Sequence, residues 1–79
     1  MEREILIANT KTQKRSKITT SATTLGELKA DLRAAGIDYS NMTFTEGISK
    51  TQLLNDDTQL PQNVMYKGQT TNNLVILLT

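Results

Sequence analysis

The chain has 79 residues, 37% of them apolar, with nine basic and eight acidic side chains and a formal net charge of +1. That length holds one small domain, whose single core supplies only a few kcal/mol of net stability (roughly 3–5), and the near-neutral charge argues against a strongly electrostatic partner across the whole surface. Cysteine and histidine are both absent, which removes disulfide staples, the commonest zinc ligands, the usual general base near neutral pH and the familiar Ser/His and Cys/His nucleophile pairs.

An enzyme would have to work with carboxylates, lysines and hydroxyls alone, so a non-enzymatic protein without cofactor or metal is expected. Glu2 and Glu4 stand where the apolar segment of a signal peptide would begin, and no run is long enough to span a membrane, so a soluble cytoplasmic chain is expected. Asn41-Met42-Thr43 matches the glycosylation acceptor pattern by chance composition.

The first predicted strand covers residues 4–10, with Ile5, Leu6 and Ile7 at its centre and polar Asn9 and Thr10 at its end. Residues 11–17, polar and basic, suit a hairpin tip. A second strand over 17–21 has β-branched Ile18, Thr19 and Thr20 but one large apolar residue, which places it at a sheet edge where lysines discourage edge-to-edge association. Thr24 followed three residues later by Glu27 is a capping box and starts a helix over about 24–35. Leu25, Leu28, Leu32 and Ala35 repeat at helical spacing, while Lys29, Asp31 and Arg33 fall on the polar side. Gly36 ends the helix as a left-handed cap, with Ile37 placed for the accompanying apolar contact. Gly26 in the first turn costs under about 1 kcal/mol relative to alanine.

Met42-Thr43-Phe44-Thr45 alternates as a third strand with Met42 and Phe44 inward, and Glu46-Gly47 ends or bulges it. In the weaker stretch 48–71, short strands are predicted at 50–54 and 64–66, with turns at Asn55-Asp56-Asp57 and at Leu60-Pro61. This stretch is expected to fold over the sheet and anchor Leu53, Leu60 and Val64. Thr71-Asn72-Asn73 then turns into the most apolar run of the chain, Leu74-Val75-Ile76-Leu77-Leu78, which reads as a central strand covered on at least one face.

The order strand, strand, helix, strand, irregular segment, strand resembles the β-grasp, or ubiquitin-like, fold. The resemblance rests on Ile5–Ala8, Lys17–Ser21, the Thr23-Thr24-Leu25-Gly26-Glu27-Leu28 helix start, and Leu74–Leu78. It implies an α+β domain, 1–79, with a mixed sheet of four to five strands, one helix on one face, and the first and last strands paired in parallel at the centre. Modifiers and sulfur carriers of this fold end in a flexible Gly-Gly tail. The given sequence ends Leu77-Leu78-Thr79, inside the expected strand, so carrier or modifier chemistry is not expected of it unless it is trimmed from a longer precursor.

Two surfaces stand out. If Leu74, Ile76 and Leu78 face the helix, then Val75 and Leu77 face the other way, joined by Leu6; either the 48–71 segment covers them or they form a surface for a protein partner or self-association. The alternative is a nucleic-acid interface on the basic residues Lys11, Lys14, Arg15 and Lys17, which lack the interleaved aromatics that stack on bases. Asp56, Asp57 and Glu46 are the carboxylates that invite a metal reading, but they lack the spacing of a calcium loop. Tyr39 and Tyr66 divide equally between core packing and interface anchors. The expected function is a small protein-interaction module, of a size and style that would also suit an accessory or structural protein of a phage or mobile element, in which case it would sit in the virion.

Overall fold

A computed structural model describes residues 2–79. Its strands and helix run in the order β1 (Arg3–Asn9), β2 (Lys14–Thr20), α1 (Leu25–Ala34), β3 (Phe44–Glu46), β4 (Thr51–Leu53), β5 (Val64–Tyr66), β6 (Gln69–Thr71) and β7 (Leu74–Leu78). Five strands form one mixed sheet in the order β2-β1-β7-β3-β4, and β5 and β6 form a separate hairpin. The domain is α+β, and β7 lies at the centre of the sheet. It pairs in parallel with β1 (Ile5↔Leu74 to Asn9↔Leu78) and antiparallel with β3. The two most apolar segments are therefore neighbours, as expected of strands covered by a helix.

Alternation along these strands builds the core. Ile5 and Ile7 of β1 and Leu74, Ile76 and Leu78 of β7 point to the helix side and are buried, as are Leu25, Leu28 and Leu32 of α1. Phe44, Leu53, Leu60 and Val64 join the same cluster, so the three anchors expected in the 48–71 stretch are all in the core. Met42, expected to point inward, is half-buried against it.

Helix α1 begins and ends on local signals. Thr24 accepts from the Glu27 amide at 3.3 Å, and the Glu27 carboxylate accepts in return from the Thr24 amide at 3.2 Å and the Thr23 amide at 2.9 Å. At the other end the Gly36 amide donates to the Arg33 carbonyl and the Ile37 amide to the Leu32 carbonyl, with Gly36 at φ +77°: a Schellman cap. Gly26 does more than dilute the helix. Its amide donates to the Asp56 carbonyl, and a side-chain carbon added at Gly26 would meet Asp56 Cβ and O at 3.1 Å, so the 54–60 stretch lies directly on the first turn. Leu25 to Thr58, Leu60 to Thr23 and the Lys29–Asp56 ion pair at 2.7 Å fix it there.

Three strand boundaries differ from expectation. β2 begins at Lys14 rather than Lys17, because an edge strand needs only a ladder along β1 and no apolar residues of its own. The tip shrinks to Thr10–Gln13, organised by Asn9, whose Oδ1 accepts the Lys11 and Thr12 amides. β3 is shifted to Phe44–Glu46, and the Met42-Thr43 start of the predicted strand precedes it, Thr43 exchanging backbone bonds with Thr79. Gln69–Thr71, read partly as a turn, is a strand closed against β5 through Lys67-Gly68, both at positive φ as a tight hairpin of this hand requires.

Candidate functional site

The face of the sheet opposite α1 is built from the other half of each alternation. Cross-strand register places Leu6 between Lys17 and Val75, and Ala8 between Arg15 and Leu77. Thr45 continues the second row beside Leu77, followed by Gln52. The result is an aliphatic centre of Leu6, Ala8, Val75 and Leu77, all half-buried, with cations on the β2 side and polar residues on the β4 side. Gly47 closes one corner: its amide donates to the Val75 carbonyl at 2.6 Å, and an added side-chain carbon would meet Val75 and Leu77 at 3.3 Å. The backbone hydrogen bonds that the 54–60 stretch makes to another element go to the start of α1. Leu6, Val75 and Leu77, selected from the alternation, are thus brought together.

The basic residues are not. Lys14 pairs with Asn9 and stands on the helix side, whereas Arg15 and Lys17 stand on the opposite face beside Ala8 and Leu6, and Lys11 sits in the tip. The expected continuous patch at a hairpin tip is divided between two faces of an edge strand.

Glu46 is not a candidate ligand either. It is 0% exposed, and its carboxylate accepts from the Ser49 amide at 2.6 Å, the Ser49 hydroxyl at 2.9 Å and the Val75 amide at 2.8 Å. Asp56 is engaged by Lys29. Among the described residues no group of three or more acidic, histidine or cysteine side chains is disposed to hold a metal ion, and no helix is long and apolar enough to cross a membrane. Tyr39 packs edge-on to Phe44 with ring centres 5.6 Å apart, and Tyr66 is exposed on the β5–β6 hairpin with Lys67 over its ring.

Two carboxylates have pKa values held below the ordinary range. Glu27 is lowered chiefly by the Thr23 amide, then by the Thr23 hydroxyl and the Thr24 amide, and Asp38 chiefly by the Ser40 amide. Both belong to turns and caps. A cleft of about 400 Å³ lies at the start of β1 and is lined by amides and hydroxyls with Ala22, Leu60 and Arg3. The Arg3 guanidinium donates to the Pro61 and Gln62 carbonyls, at 2.8 and 3.0 Å, and ties down the loop.

Comparison with protein-family models, with curated proteins and with solved structures gives no match to this chain.

Proposed function

We propose that this chain is a non-enzymatic protein-interaction module of the β-grasp kind, binding a protein partner through the sheet face of its first and last strands. One observation supports the reading most: Leu6, Ala8, Val75 and Leu77, all half-buried, form a contiguous aliphatic centre on the sheet face opposite the helix, bounded at one corner by Gly47. Apolar centres rimmed by charged and polar residues are the usual anatomy of a protein interface. The absence of histidine and cysteine from the sequence leaves nothing to compete with this role by common nucleophilic chemistry. The small size and the same surface would also suit an accessory or structural protein of a phage or mobile element.

Affinity capture from the source lysate tests the proposal. A partner retained after nuclease treatment and in high salt, and lost with Leu77→Ser, is the expected result. A partner lost with nuclease, or unaffected by Leu77→Ser, contradicts it. Leu77 is half-buried, so the variant is checked for folding first.

A further inference from the structure

Strand β2 is the long edge of the sheet, seven residues against three for β4 at the other side. Its inner side pairs with β1 from Arg3↔Thr20 to Asn9↔Lys14; on its outer side no strand lies among the described residues, and alternate residues leave backbone N–H and C=O groups without a ladder partner. The segment from Lys11 to Ser21 has four cations and no carboxylate. Along the helix side of this edge runs a cleft of about 240 Å³, with Ile7 and Ile37 as its apolar lining and Lys14 at its wall. Asp38 is the one carboxylate on that lining, and it is occupied by the Ser40 amide.

The division of the cations between faces decides what such an edge suits. A phosphate backbone follows one continuous basic surface. A strand added to β2 would lie in the plane of the sheet and send its own side chains alternately to the two faces. Acidic side chains on one face would then meet Arg15 and Lys17, while branched apolar ones on the other would enter the cleft over Ile7 and Ile37, with Lys14 beside them. The same cations repel a second copy of β2, so the edge is protected from self-pairing while still open to a strand of opposite charge.

We propose that the outer edge of β2 binds an extended acidic segment of another protein as an additional strand. This edge adjoins the aliphatic centre of Leu6, Val75 and Leu77 and shares Arg15 and Lys17 with its rim, but it rests on the outer backbone of β2, so either can fail without the other.

The test is selection on the full folded chain from a displayed library of random peptides, followed by amide-resolved NMR with the selected peptides. The expected peptides are acidic and alternate with branched apolar residues. They should shift and slow the exchange of amides within residues 14–20, and lose binding when alternate peptide nitrogens are methylated. Arg15→Glu combined with Lys17→Glu, both exposed, is expected to weaken binding roughly tenfold. Failure to enrich acidic peptides overturns the proposal. So do selected peptides that perturb Leu6, Val75 and Leu77 but leave residues 14–20 unchanged, which would favour the sheet face alone. Tighter binding of single-stranded oligothymidylate at residues 14–20 also overturns it, in favour of nucleic acid.

Discussion

Glu46 and Val75 are joined by a 2.8 Å hydrogen bond, from the Val75 amide to Glu46 Oε2, at a carboxylate with no exposure to solvent. Glu46 stands opposite Ile76 in the β3–β7 ladder, and its second oxygen holds the Ser49 amide and hydroxyl. One side chain therefore ties the turn after β3 to the central strand. Glu46→Ala leaves three part-buried donors without a partner and is expected to cost about 2 kcal/mol in urea denaturation. A cost near zero would mean that water replaces the carboxylate at no penalty.

Alternation along β7 gives a second expectation. Ile76 is fully buried under α1, whereas Leu77 is half-buried on the opposite face. Ile76→Ala is expected to lose about 3 kcal/mol and Leu77→Ala about 1 kcal/mol. Denaturant midpoints of the two variants check the difference, and equal losses would place Leu77 in the core.

The two ends of α1 separate two kinds of glycine. Gly36 sits at φ +77° with open space around it, so Gly36→Ala is expected to cost about 1 kcal/mol through backbone strain. Gly26→Ala would gain up to about 1 kcal/mol from helix propensity alone. The added methyl meets the Asp56 backbone, so no net gain in melting temperature is expected, and a clear rise would show that the 54–60 stretch yields freely.

Acid stability follows from the caps. Glu27 and Asp38 have folded pKa values below their ordinary ones, so the unfolded chain takes up protons first as the pH falls. The stability they contribute is complete above the ordinary carboxylate range, about pH 4, and is lost as the pH falls through their lowered folded values. Glu27→Gln is expected to flatten the fall of stability with acid, measured by denaturation at a series of pH values. Thr24→Ala, which removes the other half of the box, is expected to cost about 1 kcal/mol.

Much of this architecture was legible in particular residues. Thr24 and Glu27 marked the helix start, Gly36 and Ile37 its end, and the apolar run from Leu74 to Leu78 the sheet centre, because each is a local device with one conformational solution. The start of β2 was not legible, since Lys14-Arg15-Ser16 reads as a loop until β1 supplies the ladder. Gln69–Thr71 has no apolar residue and is a strand through its hairpin turn and pairing alone. Glu46 read as the end or bulge of a strand and as a carboxylate inviting a metal reading; its buried structural role was not legible, because its three donors come from a turn and from a strand far along the chain. On the candidate surface, Leu6, Val75 and Leu77 followed from alternation, while Ala8, Thr45 and Gly47 needed the cross-strand register that only the folded sheet provides.

The most direct test of the interaction reading is methyl-resolved NMR of the chain titrated with the purified partner recovered by affinity capture. The buried methyls of Leu74, Ile76 and Leu78 serve as internal controls on the same strand. Shifts or broadening concentrated at Leu6, Val75 and Leu77, with the controls little changed, is the expected result. Perturbation confined to exposed Leu54 and Met65, with Leu6, Val75 and Leu77 unmoved, would contradict it.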